Sequence, residues 1–161
     1  MEATKKEILE NEMVLSRIFN APVELVWKAL SNADHLKLWW GPKGFTAPTC
    51  KIDFRVGGKY HFCMRSPEGQ DIWTTGTYKE IILHKKIVWT DNFADEKGNV
   101  VSGDHYGMPG LPMEFEVTMI LEASEGKTKF TLRHKGLPHG EMMELTQAGW
   151  NETLDKLATT L

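Results

Sequence analysis

One stripe of residues at the end of the chain constrains the fold more than any other feature. Met143, Gln147, Trp150, Leu154, Leu157 and Leu161 recur at alternating steps of four and three. At ~100° per residue they fall on a single face of an α-helix, so the spacing predicts a helix over 141–161. Glu141 and Glu144 lie in its first turn, where the positive end of the helix dipole favours carboxylates, and Lys156 lies near the negative end. From Gly44 to Lys135 the pattern is instead the period-two alternation of strands. A long amphipathic helix that follows a run of strands needs a sheet to cover its apolar stripe. Gln147 is a polar misfit in that stripe, which suggests that helix and sheet enclose something besides each other.

The rest of the chain supplies the sheet. Residues 1–12 read as a lead-in or a short helix, and Met13 to Phe19 alternates as a first strand. Asn20 is placed to cap a helix with Pro22 in its first turn, and Val23, Val26, Trp27 and Leu30 form its apolar face. Asp34 to Trp40 reads as a second short helix, ended by Gly41-Pro42. Strands follow over 45–54, 59–65, 72–82 and 86–93, and Pro48 marks the first of these as an edge strand or a bulged one. Ala94 to Leu111 is a long irregular segment, a kind often functional in compact domains. A last hairpin over 112–121 and 127–135 turns at Ser124-Glu125-Gly126. Short turns between consecutive strands imply an antiparallel sheet. One face of it carries Met113, Phe115, Val117, Met119 and Leu121 beside Thr128, Phe130, Leu132 and His134. Glu114, Glu116, Lys127, Lys129 and Arg133 belong on the wet face.

Strand register bears on the two cysteines. Turning the chain at Val56-Gly57-Gly58 pairs Arg55 with Lys59, Phe54 with Tyr60, Ile52 with Phe62 and Cys50 with Met64. Cys50 and Cys63 then point to opposite faces, which argues against a disulfide and for a reducing compartment. A formal net charge of -3 with no basic block argues against a nucleic-acid surface. No apolar run approaches the ~20 residues that span a bilayer, and the start lacks the apolar segment of a secretory signal. The expectation is a cytoplasmic protein whose 161 residues form one domain.

Six tryptophans and eight methionines suit a large, adaptable apolar space. Its sheet wall is expected from Phe62, Met64, Trp73, Thr75, Trp89, Phe115, Val117, Met119, Phe130 and Leu132. Its helix wall is expected from Met143, Gln147 and Trp150. Taken singly, each also suits a dry core. Together with Gln147, Thr75 and His134 as inward polar groups, each costing ~1–3 kcal/mol if unpaired, they resemble a ligand pocket. His105, Tyr106 and Met108 in the long segment read either as a lid at the cavity mouth or as packing around the turns at Gly107 and Gly110. Asp53 and Arg55 read as an exposed pair. No carboxylate stands out to orient His105 or His134, so no catalytic residue is assigned. No metal-ligand cluster or phosphate-binding glycine loop is found, and no cofactor is expected.

Three segments carry a family resemblance: Trp39-Trp40-Gly41-Pro42, the run from Asp53 through Arg55 and Gly57-Gly58 to Tyr60, and Gly149-Trp150 leading to Leu154 and Leu157. They resemble the START-like (SRPBCC) superfamily, in the branch named for a homologue of the activator of a heat-shock chaperone's ATPase, over about 14–161. His105 to Pro109 is similar to a feature of its bacterial stand-alone members. The resemblance implies an α+β helix-grip fold, a curved antiparallel sheet wrapped around a long C-terminal helix, with two small helices after the first strand. It implies a cavity between sheet and helix for an apolar, lipid- or polyketide-like molecule. The alternatives are a cyclase- or hydrolase-type enzyme working through His105 or Tyr106, and a chaperone-interacting module using Trp39-Trp40 as its contact. The chaperone activator has an additional N-terminal domain for which this chain has no room, so a chaperone partner is not expected; a homodimer is left open.

Overall fold

The computed structural model describes residues 12–138 and 140–161. Strand β1 (Glu12–Phe19) leads into helices α1 (Val23–Ser31) and α2 (Ala33–Trp39). Strands β2 (Thr46–Ile52), β3 (Lys59–Arg65), β4 (Asp71–Ile82), β5 (Lys86–Ala94), β6 (Phe115–Ser124) and β7 (Lys127–Lys135) follow, and helix α3 (Glu141–Thr159) closes the chain. The strands form one antiparallel sheet in the order β1-β7-β6-β5-β4-β3-β2. This is the helix-grip arrangement. Because β1 returns to pair with β7, the first strand is carried to the far edge, and α1 and α2 close the end between the two edges. The expected lead-in lies outside the described residues except for Glu12, which opens β1.

Two local expectations are corrected. Pro22, not Asn20, holds the cap position of α1, with its carbonyl accepting from Leu25 and Val26 and no side-chain cap. The side-chain cap belongs to α2, where Asn32 accepts from the backbone of His35 at 3.1 Å. The β2–β3 register is also two residues from the expected one, with Ile52 opposite Tyr60 and Cys50 opposite Phe62. The loop is longer because its backbone bonds elsewhere. Gly57 donates to the Tyr78 carbonyl at 2.8 Å, and Tyr78 donates back to Gly58 at 2.9 Å. A Cβ on Gly58 would stand 1.9 Å from the Asp53 carbonyl oxygen, so only glycine fits there. A slip of two leaves every side chain on its expected face. Cys50 and Cys63 accordingly lie on opposite faces as free thiols. Pro48 sits on an edge strand at a register shift, so both expectations for it hold.

The fully enclosed core gathers around Phe19, Val117, Phe130 and Leu132 from the sheet and Leu154 and Leu157 from α3. Burying each such side chain stabilises the fold by about 1.5–3 kcal/mol. Two polar ties hold the C-terminal half of α3 in place. Arg17 donates to Asp155 at 2.6 Å, and Lys156 donates to the carbonyls of Gly41 at 3.1 Å and Phe45 at 3.0 Å.

Candidate functional site: an aromatic-walled cleft under the first half of the closing helix

Alternation along β5 sends Ile87, Trp89, Asp91 and Phe93 to the face that α3 covers. Three of these are apolar, and the fourth is a carboxylate. Asp91 pairs with Phe115 of β6, and its Oδ1 accepts the Tyr60 hydroxyl at 2.5 Å. The same hydroxyl lies 3.1 Å from the Thr90 carbonyl. Tyr60 reaches β5 only by crossing β4 at Gly76, its register partner. A Cβ on Gly76 would lie 2.8 Å from Tyr60 Cε1 and 1.8 Å from the Thr90 carbonyl oxygen, so the glycine clears the path. Burial pushes the Asp91 carboxyl up to about 6, against the opposing pull of the Tyr60 hydrogen bond. Burial and then the neighbouring Asp91 hold the Tyr60 phenol well above its usual range. Asp91 forms no ion pair among the described residues.

A second buried polar group lies two strands away. His134 of β7 stands opposite Val117, and its Nδ1 accepts from Trp150 Nε1 of α3 at 3.1 Å. Burial pushes the imidazole down to about 4, so it is neutral at pH 7, and with Nδ1 accepting, the proton sits on Nε2. That Nε2 is buried and finds no partner among the described residues. An unmet buried donor costs about 1–3 kcal/mol.

Aromatic contacts run around these groups. The rings of Phe62 and Trp40 stand 4.9 Å apart, and those of Trp40 and Trp150 5.8 Å apart. Trp150 joins His134 by its hydrogen bond, His134 stands 5.1 Å from Phe115, and Phe115 6.5 Å from Phe93. Phe93 faces Thr74, and Thr74 faces Phe62, which closes the circuit. Trp40, Asp91, Phe93, Met143 and Trp150 are only half-buried, so this side of the core is not fully enclosed. Behind its Trp40, Tyr60 and Phe62 wall, between the sheet and the two short helices, lies a cavity of about 20 Å³ that Trp89 and Met119 also line. That space suits about one water.

The expected site residues divide accordingly. Phe62, Trp89, Phe115, Val117, Met119, Phe130 and Leu132 are buried on the inner face, with Met64 half-buried beside them. Met143 and Trp150 pack against that core from α3. Trp73 and Thr75 do not join them. They pair with Cys63 and His61 on the opposite face, where Trp73 stacks on His61 at 4.6 Å and Thr75 donates to the Tyr60 carbonyl. Gln147 is exposed, so it is not the inward polar group expected of it. The closing helix therefore borders this region with only its first half, and the small cavity lies against α1 and α2 instead.

The long segment braces the sheet, and its Tyr106 ring also stands 5.8 Å from that of Phe93. The Tyr106 hydroxyl donates to the Ala94 carbonyl and accepts from the Trp73 backbone at 3.1 Å, tying the β4–β5 ladder end. Met108 folds back to donate to the Gly103 carbonyl at 2.9 Å, Gly107 takes a left-handed conformation, and His105 is exposed. Trp39 is fully buried with its Nε1 bonded to the Ala29 carbonyl at 2.9 Å, so it offers no contact to a partner. Asp53 and Arg55 form the expected exposed pair at 2.8 Å. Burial pushes the Cys50 thiol up to about 12, well away from a nucleophilic thiolate. Among the described residues no group of three or more His, Cys, Asp or Glu could hold a metal ion, and no helix is long and apolar enough to cross a membrane.

Asp91 and Tyr60 escaped the sequence reading. The signal was present: Asp91 alternates with Trp89 and Phe93, and Tyr60 with Phe62, so a carboxylate and a phenol share the apolar face.

The model of the family described as Activator of Hsp90 ATPase homolog 1-like protein matches residues 20–161. The chain belongs to this family. No curated protein matches it. Among solved structures it is similar to a protein from Chromobacterium violaceum, with 28% identity over 94% of this chain and 96% of that one and a TM-score of 0.77. An AHSA1 protein from Silicibacter pomeroyi shares 26% identity over 92% and 96% of the two chains, with a TM-score of 0.75. A protein from Arthrobacter aurescens shares 26% over 94% and 86%, with a TM-score of 0.74. The family assignment and the helix-grip fold agree with what Trp39 to Pro42, the Asp53–Tyr60 run and the terminal helix imply.

Proposed function

We propose that this family member binds an apolar small molecule, lipid- or polyketide-like in its carbon skeleton, in the cleft between the inner face of the sheet and the first half of α3. The observation that carries this reading is a cost with no structural return. An ionisable carboxyl at Asp91 and a donor at His134 Nε2 that has no partner among the described residues are held inside a half-open aromatic enclosure. Apolar residues there would give a more stable protein. An apolar body packed among Trp40, Phe93, Phe115 and Trp150, with polar groups meeting Asp91 and His134, makes use of both.

The cyclase or hydrolase reading through the long segment loses support, because Tyr106 is engaged with backbone groups and His105 faces solvent. The chaperone-module reading loses half of its proposed Trp39-Trp40 contact, because Trp39 is fully buried and only Trp40 is partly exposed. Two buried free cysteines fit a reducing cytoplasm as the place of action.

Native mass spectrometry of the protein purified from its own host tests the proposal. A co-purifying small molecule that disappears in Trp150→Ala, with the fold retained by circular dichroism, is the expected result. Protein that carries nothing, and whose tryptophan emission does not move on titration with fatty acids, sterols or aromatic polyketides, contradicts it.

A further inference from the structure

We propose that the ligand of this cleft carries a cationic amine, its positive charge seated against Asp91 and the surrounding aromatic faces; this deepens the binding reading above and rests on it. Charge balance comes first. Asp91 is an inward carboxylate with no ion pair among the described residues, and its one side-chain partner is a neutral phenol. The titratable groups on the inner face around it are Tyr60 from β3, Tyr78 from β4 and His134 from β7, and none is a cation at neutral pH. From β6 it meets Phe115, and α3 brings Met143 and Trp150 to the enclosure. The lysine of α3 that turns inward, Lys156, spends its ammonium on the carbonyls of Gly41, Pro42 and Phe45. The enclosure is therefore negative wherever Asp91 is ionised.

The walls add to this in the same direction. Phe115 is the register partner of Asp91, Phe93 follows on the same face of β5, and ring contacts link Phe115 to Phe93 and Trp40 to Phe62 and Trp150; the negative faces of such rings attract a cation, best of all a weakly hydrated alkylated ammonium. His134 Nε2–H offers a separate neutral donor, suited to an ester, ether or carbonyl oxygen of the same molecule. A free fatty acid seated head-first is disfavoured, because its carboxylate would meet Asp91 in a desolvated site. Asp91, like Phe93, Met143 and Trp150, is half-buried rather than fully enclosed.

Choline and 3,3-dimethylbutan-1-ol separate the two chemistries, since they share shape and hydroxyl and differ in a charged nitrogen against a neutral carbon. Tryptophan fluorescence and amide NMR shifts of the full chain would be followed with each at pH near 7.5. Choline is expected to bind at least about tenfold tighter. That preference should vanish in Asp91→Asn. In the wild type it should fade as pH drops through about 6, where the carboxyl takes up its proton, so the inference stays testable even if the variant folds poorly. Equal binding of the two probes, or a preference that survives Asp91→Asn, overturns the cationic ligand while leaving the cleft as a binding site. Binding of neither probe also overturns the cationic ligand, and the native mass spectrometry above then decides the binding site itself.

Discussion

The two halves of α3 do opposite work. Beyond Asn151 the helix is a clamp: Leu154 and Leu157 are fully enclosed, Arg17 holds Asp155, and Lys156 ties the helix to the loop after α2. Before it the helix is a loose roof. Met143 and Trp150 are half-buried, Gln147 is exposed, and the half-buried residues of the inner face include Asp91. The same contrast divides the sheet. Phe130, Leu132 and Val117 form a dry floor, while Asp91 and Phe93 remain accessible. One helix thus supplies stability at one end and tolerates a polar, open site at the other. The second property is affordable because of the first.

Substitutions can break that contrast or sharpen it. The largest effect is expected from Leu154→Ala, which leaves a cavity in the dry half and should cost about 3–5 kcal/mol in urea unfolding. Trp150→Phe keeps an aromatic wall but strips the donor from His134 Nδ1, so a loss of about 1–2 kcal/mol is expected, together with altered ligand retention in native mass spectrometry. Met143→Ala should cost about 1 kcal/mol, less than Leu154→Ala because the side chain is only partly buried. Its main effect should fall on ligand affinity, measured by fluorescence titration. Gln147→Leu should change stability by no more than about 0.5 kcal/mol and leave binding intact. A large loss from Met143→Ala with no change in binding would mean that both halves of the helix are core.

How much of this was legible in the sequence depended on whether a pattern was local. The period-two runs placed β3 and β7 at their observed ends, and the four-three spacing found α3, because alternation and helical periodicity are short-range signals. Leu154 and Leu157 followed directly from the stripe. Gln147 did not: it is inward by periodicity, yet it is exposed in the structure. Trp73 and Thr75 were assigned to the inner face by chemistry rather than by register, and pairing with Cys63 and His61 sends them outward. The Tyr60–Asp91 bond spans three strands and depends on a bare Gly76 between them, which no single segment displays.

The pH dependence of stability sharpens the comparison further, because the cleft holds two titrating groups with opposite signs. The folded pKa of Asp91, about 6, stands above its ordinary 3.8, so its linked stability is fully present below that lower value and is lost as pH rises through about 6. The folded pKa of His134, about 4, stands below its ordinary 6.5, so its linked stability is present above 6.5 and is lost as pH falls through about 4. Between roughly pH 4 and 6 the two slopes oppose each other.

Urea unfolding of Asp91→Asn beside the wild type, from pH 4 to 7.5, therefore tests most directly whether the cleft is kept for binding rather than for stability. The variant should be the more stable protein at pH 7, by about 1–3 kcal/mol, since it no longer holds a desolvated carboxylate. Its stability should also climb with pH across the window, with His134 left as the titrating group. A variant that is less stable than the wild type at pH 7, or that keeps the wild-type pH profile, would make Asp91 a structural residue and contradict the account.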